Sequence, residues 1–303
     1  MDRLDQLRSF LRVAELGSFT GAADSLGLPK ASVSLAVQRL EAEVGVQLLH
    51  RTTRRVRLSA DGLQFQQRAR DLLDDMEELQ GMFRRDTSQL KGRLRVDMSS
   101  GLARQLVIPH LPGFLARHPG LEMELSGTDR RVDLVREGFD CVLRVGSLDD
   151  NTLVARPLGT MQIVNCASPA YLATRGTPRT LADLHAHALI HYVGTLGQRS
   201  PGFEYPDDAG GYRSLPMRGA ITVNSGEGYT AAALAGLGII QVPRLGVRQA
   251  LAAGTLVEVL PALAAEPMPV TLLYAQRRHL PHRVTAFMDW VAGVIQPELL
   301  RAD

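Results

Sequence analysis

Apolar residues recur at helical spacing through the first sixty residues, after which the period changes. Leu4, Leu7, Phe10, Leu11, Val13 and Ala14 fall at steps that predict an amphipathic helix over 4–16. Gly17 stops it. Ser18 can accept from the free amides of a second helix, Phe19 to Leu26, where Ala22 and Ala23 permit close helix approach. After Gly27, Pro29 stands at the predicted first turn of a third helix that runs to Val44, where a missing N–H costs nothing. Val33, Val37, Leu40 and Val44 predict its buried stripe, and Lys30, Ser32, Ser34 and Gln38 lie mostly off it. Two helices joined by the short turn Gly27-Leu28 read as a helix-turn-helix, whose second helix fits a major groove.

Beyond Gly45 the pattern turns extended. Thr52, Thr53, Val56 and Leu58 predict a two-stranded wing, and Arg51, Arg54, Arg55 and Arg57 fall within seven residues of each other. No acid occurs between Val44 and Ala60, and residues 1–60 hold nine basic and six acidic side chains. Such a run suits phosphate contact or a narrow minor groove, and equally a solvated basic loop. From Ser59 to about Phe83 the chain is helical again. Phe65, Ala69, Leu72, Met76, Leu79 and Phe83 alternate steps of four and three, the seam of a coiled coil or a stripe packed on its own domain.

Arg84 to Gln89 is polar and reads as a hinge. Strands at 94–99, 121–126 and 141–145 then alternate with helices near 102–117 and 132–137, which predicts an α/β domain with a largely parallel sheet. A second series runs from Gln162 to Val259, and a last strand, Val270 to Ala275, precedes a helix over 284–295.

Composition narrows the classes. The 303 residues carry a formal net charge of +2, so a nucleic-acid site must be a local patch. Cys141 and Cys166 give neither a disulfide framework nor zinc spacing. The first ten residues lack the apolar core of a signal peptide, and no apolar run approaches membrane-spanning length. A cytoplasmic chain without membrane contact is expected.

Residues 10–62 closely resemble the winged helix-turn-helix of bacterial LysR-type transcriptional regulators. The likeness lies in Gly17-Ser18-Phe19, Ala22-Ala23, Val33-Ser34, Leu40-Glu41, Gly45, Leu48-Leu49, Arg51-Thr52 and Leu58-Ser59 with Gly62. It implies a ligand-responsive DNA-binding protein without catalytic residues. Lys30, Ala31, Ser34, Leu35 and Arg54 would face DNA, with Ser32 and Gln38 beside them and Arg51 and Arg55 on phosphates. Leu35 departs from the family pattern, which has a long polar residue there. A leucine cannot hydrogen-bond a base edge, which leaves contact with a thymine methyl.

The resemblance also implies the domain plan: an α-rich winged helix-turn-helix at 1–58, a dimerisation helix and hinge at 59–91, and a two-lobed α/β effector domain with the fold of periplasmic binding proteins at 92–303. Lobe I would comprise 92–161 and 267–303, and lobe II 162–266. The partners would be double-stranded DNA, a small-molecule effector and a second copy through residues 59–85, extending to a tetramer in some members, with RNA polymerase as a further candidate. No cofactor is implied. Ligands of open α/β sheets sit beyond strand ends, at helix starts. Ser99, Ser100 and Gly101 open one helix, Asn224 and Ser225 another, and Thr128 closes a strand. Each reads either as a ligand contact or as a plain cap or turn. Arg144 would add positive charge or pair with Asp140 or another acid.

Other signals lead elsewhere or nowhere. His185, His187 and His191 make an H-x-H-x3-H cluster, but residues two apart on a helix point away from each other, and no carboxylate to orient the imidazoles is evident beyond Asp183. The cysteines sit in strand-like apolar runs and read as small hydrophobes, with a redox sensor as the alternative. Two competing classes remain: a cytosolic binding protein whose N-terminal domain only scaffolds assembly, and an enzyme on the two-lobed domain, for which no paired acid and base is evident.

Overall fold

The computed structural model describes residues 2–51, 56–81, 90–146, 153–276 and 280–300. The chain divides into two units, 1–93 and 94–303.

In the first unit α1 (Arg3–Leu16) begins at Asp2, whose carboxylate accepts from the Asp5 amide while Asp5 returns the bond, a reciprocal cap. α2 (Phe19–Leu26) is capped by Ser18 and ends on Gly27, whose φ of 65° is the left-handed conformation that lets the chain turn sharply into α3 (Lys30–Val44). Pro29 lies one residue outside α3, with extended backbone at the cap, rather than in its first turn. Leu7, Phe10, Val13, Ala22, Ala23, Val33, Val37, Leu40, Leu48 and Leu49 bury together. Each large side chain there contributes about 1.5–3 kcal/mol by leaving water.

One expected stripe is corrected, and a second is covered by its own domain only in part. Val44 is 41% exposed, and Ala36 takes its place in the buried face of α3, because the helix stops on left-handed Gly45 and Leu48 and Leu49 fill the core instead. In α4 (Ala60–Gly81) the packed residues are Phe65, Ala69 and Leu73, which face α1; Phe10 meets Phe65 edge to face at 5.5 Å. Steps of four follow the side of a straight helix that its own domain covers. Leu72, from the expected seam, is 53% exposed. The Leu79 side chain and Phe83 lie outside the described residues, as does the hinge over 84–89.

β1 (Leu49–Arg51) and β2 (Val56–Leu58) form the antiparallel wing between α3 and α4. The second unit continues with β3 (Lys91–Met98), α5 (Ser100–Leu102), a π-helical turn (Ala103–Val107), α6 (Ile108–Arg117), β4 (Gly120–Gly127), α7 (Leu134–Glu137), β5 (Cys141–Val145) and β6 (Leu153–Met161). Then come β7 (Ile163–Ala167), α8 (Pro169–Arg175), β8 (His191–Tyr192), β9 (Phe203–Pro206), β10 (Tyr212–Leu215), β11 (Thr222–Val223), α9 (Gly226–Leu234), β12 (Ile240–Pro243), α10 (Arg244–Ala252), β13 (Val257–Glu258), β14 (Met268–Ala275) and α11 (His282–Ile295).

One sheet has the order β4-β3-β5-β14-β6 and another β12-β7-β13. β3 and β5 are parallel, but β14 runs antiparallel to both β5 and β6, and β7 runs antiparallel to both its neighbours. The first sheet is therefore mixed and the second antiparallel, so neither is largely parallel. The chain leaves the first sheet after Met161, builds the second lobe, and re-enters between β5 and β6 in the opposite sense. Apolar helix α11 covers that lobe through Val284, Phe287, Met288 and Val291, and Trp290 stacks on Phe114 at 4.6 Å.

Candidate DNA interface and effector cleft

The two faces of α3 differ in chemistry. With Val33, Ala36, Val37 and Leu40 turned inward, a rotation of about 100° per residue points Ala31, Leu35, Gln38 and Ala42 directly outward. All four are exposed, as are Lys30 and Arg39, while Ser32 and Ser34 are half-buried on the flanks.

The base of the wing is pinned to this helix by bonds that no local pattern announces. The Glu41 carboxylate accepts from the amides of Leu48 (2.9 Å) and Leu49 (3.0 Å), tying α3 to the start of β1. Ser59 donates its hydroxyl to the Gln47 carbonyl at 2.6 Å and accepts from the Gly62 amide at 2.9 Å. A Cβ on Gly62 would lie 2.0 Å from the Leu48 carbonyl oxygen, so only glycine lets α4 pass the wing this closely. These contacts explain the spacing of Leu40-Glu41, Leu48-Leu49 and Leu58-Ser59 with Gly62. On the wing, His50 and Arg57 pair across the ladder and are both exposed. The Arg51 side chain and all of Arg54 and Arg55 lie outside the described residues.

In the second unit, buried Asp97 on β3 gathers two of the anticipated cleft residues. Thr128 donates its hydroxyl to Asp97 Oδ1 at 2.9 Å, and Arg144 on β5 approaches Oδ2 at 2.9 Å. Asp97 is 0% exposed and Arg144 15%. The ion pair lacks the alignment of a hydrogen bond, so Asp97 Oδ2 and Arg144 Nη2 both retain unused capacity. Arg144 is thus held by Asp97, not Asp140, whose carboxylate accepts from the Arg95 amide. Beside them Ser99 caps the Leu102 amide at 3.4 Å, and Ser100 donates to the Gly127 carbonyl at 3.1 Å. Ser99 keeps a hydroxyl proton to donate, and Ser100 and Thr128 keep lone pairs. Gly101 lies within α5, where an added Cβ would meet open space.

Across the cleft Asn224 is exposed and Ser225 caps α9 by accepting from Gly228 at 3.2 Å. The first amide of α9 is already taken: Gly226 donates to Asp129 Oδ2, 2.8 Å away, from the loop after β4. A second hydrogen bond runs from Gln105 Nε2 to the Gly246 carbonyl of α10, at 2.9 Å. Near Asp129, Tyr192 lies 5.4 Å from Tyr229, and burial together with the Asp129 charge pushes the Tyr192 phenol above its ordinary range. Asp97, Asp129 and Tyr192 were missed in the sequence. The one signal was an acid inside the apolar strand run Leu94 to Met98.

The histidines do not converge. His187 is buried against the Tyr171 hydroxyl at 3.2 Å, and desolvation holds its imidazolium below the usual range; His191 is in β8. Among the described residues no three His, Cys, Asp or Glu side chains form a metal-sized group, and no helix is long and apolar enough to cross a membrane. Both thiols are buried. Burial, aided by Glu258, pushes Cys166 up to about 12, and burial pushes Cys141 higher still.

Comparison with known proteins agrees with this geometry over nearly the whole chain. Residues 4–63 match the family described as bacterial regulatory helix-turn-helix protein, lysR family, and residues 87–296 match the LysR substrate binding domain. An uncharacterized HTH-type transcriptional regulator of Escherichia coli, YhjC, is 49% identical over 99% of this chain and 100% of its own. An HTH-type transcriptional repressor of Pseudomonas aeruginosa is 37% identical over 96% of this chain and 92% of its own. The full-length structure of the Vibrio cholerae virulence activator AphB superposes with a TM-score of 0.58 at 28% identity, covering 97% of this chain and 99% of that one. Helix-turn-helix, wing and two-lobed domain thus occur here in the order and extent of one family. The chain belongs to the LysR family of DNA-binding transcriptional regulators, which carry a small-molecule-binding domain and are not enzymes.

Proposed function

We propose that the protein acts as a dimer on a partly palindromic promoter site, with α3 and the wing of each subunit in one half-site. The observation that carries this reading is the outward face of α3, polar and basic at its flanks and without partners among the described residues, beside an arginine-rich wing. Lys30, Ala31, Ser32, Ser34, Leu35 and Gln38 meet base edges and set register, and Arg51, Arg54 and Arg55 meet phosphates. Half-sites lie roughly 34 Å apart, a span that needs two copies. Residues 59–85 join the copies, a role that exposed Leu72 supports; a tetramer then pairs two dimers. The chain works in the cytoplasm, with RNA polymerase as its further contact at the promoter.

The effector occupies the cleft between Ser99, Ser100, Gly101, Thr128 and Arg144 on one side and Asn224 and Ser225 on the other. A small carboxylate is the class that this hydroxyl-rich helix start suits, and it would compete with Asp129 and Asp97 for the same donors. The ligand shifts the balance of lobe arrangements only by its difference in affinity for them. The new lobe arrangement changes subunit geometry and the bend of the DNA.

Anisotropy titrations of the full-length protein against the DNA upstream of its gene and an unrelated duplex, at two salt concentrations, test this. Tight binding to the first, weak salt-sensitive binding to the second, and weakening by Arg54→Ala are expected. Equal weak binding to both would leave only a basic patch.

A further inference from the structure

We infer that Leu35 reads a thymine: its side chain packs on the 5-methyl group of a thymine in the major groove, so the base facing the middle of α3 is specified by an apolar contact. The inference rests on the DNA-binding reading above and names what that surface recognises.

The geometry points to it in three steps. Leu35 is 47% exposed, and an isolated exposed leucine ordinarily needs no explanation. Its position supplies one. It stands one turn beyond Ala31 on the line of α3 farthest from the buried stripe of Val33, Ala36, Val37 and Leu40, so nothing on its own helix can cover it. Lys30 and Ser34 border that line on one side and Ser32 and Arg39 on the other. The apolar pair Ala31 and Leu35 is therefore framed by cations and hydroxyls. Such a frame suits a polyanionic surface with an apolar spot, and does not suit a protein core.

Among the four bases only thymine offers that spot in the major groove. Guanine presents N7 and O6, adenine N7 and an amine, cytosine an amine, and thymine O4 with a methyl group. A leucine set against any of the first three strips water from groups it cannot hydrogen-bond, and so selects against them. Against thymine it buries the methyl, a gain of about fourfold in affinity for one buried carbon. Gln38, one turn further along the same line, can still hydrogen-bond the next base edge.

The test starts from duplexes that the full-length protein enriches from a random-sequence library. The enriched site is resynthesised with each thymine of one half-site replaced singly by uracil, which removes only the methyl. Dissociation constants are measured for the native protein, Leu35→Ala and Leu35→Gln. One exchange should weaken native binding about fourfold and leave Leu35→Ala binding unchanged. Repeating the selection with Leu35→Gln should move the preference at that position from thymine toward adenine, which glutamine can pair. Because Leu35 is exposed, all three proteins should unfold at the same temperature. An enriched site at which no thymine methyl is felt, or at which Leu35→Ala feels it equally, overturns the inference while DNA binding stands. Failure to enrich any sequence overturns both.

Discussion

On α3, Lys30, Leu35, Gln38 and Arg39 stand exposed, and no protein partner is found for them among the described residues. In the cleft, Ser99, Ser100, Thr128, Arg144 and Ser225 each already hold an amide, a carbonyl or a carboxylate of the same chain. The first surface is finished and waits for a polyanion, whose phosphates supply the missing countercharge. The second is largely occupied by the chain's own groups, with spare capacity on Asp97 Oδ2 and Arg144 Nη2, so a ligand there would exchange some bonds as well as add others. That exchange is what a responsive domain needs: a molecule that merely added contacts equally to every arrangement would shift no equilibrium. Asp129 shows the point, because its carboxylate already accepts from the first amide of α9.

The largest expected effect tests whether the DNA-binding surface is rigid because of the wing junction. Gly62→Ala would drive a methyl into the Leu48 carbonyl and should cost about 3 kcal/mol or more. Calorimetry should show the N-terminal unit melting early and the second unit unchanged. A single shifted transition would mean that the two units unfold together. Next, Arg54→Ala should weaken binding to all duplexes alike and reduce the slope of log affinity against log salt by about 1. A selective loss at one base would instead make Arg54 a base reader.

Asp129→Ala removes the cap across the cleft and should cost the second unit about 1 kcal/mol. Hydrogen exchange at Gly226 should quicken, and DNA affinity without ligand should change while its salt slope does not. An unchanged Gly226 amide would remove the lobe-to-lobe contact from the mechanism. The smallest effect is expected at the thiols. Cys141 and Cys166 should resist a thiol reagent and peroxide in the folded protein and react on unfolding, leaving DNA binding unaltered. Their raised folded pKa values carry a sign. Above about pH 9, where unfolded thiols ionise, the folded state holds more protons, so stability falls as pH rises. Rapid labelling of the native chain at pH 8 would contradict the burial.

The helix-turn-helix was legible because its signals are local. Ser18 caps within three residues, Gly27 turns within one, and an apolar stripe repeats every three or four. Val44 misled for a related reason: periodicity gives a face, and only packing decides where that face stops being covered. β6 was hidden by Pro157 and Gly159, which interrupt an apolar strand pattern at an edge where the sheet tolerates both. The sense of β14 was hidden because strand patterns look alike in either direction.

By itself, then, the sequence determined the elements of the first sixty residues, the family, and the residues that α3 presents outward, all through interactions spanning a turn or two of chain. Only the tertiary structure decided the rest. Glu41 reaches Leu48 and Leu49 from a helix to a strand, Thr128 finds Asp97 across 31 residues, and Asp129 finds Gly226 across 97. Hydrogen bonds and ion pairs take any donor with any acceptor, so residue type alone cannot choose among partners so far apart. The packed lobes choose by bringing one pair within 3 Å.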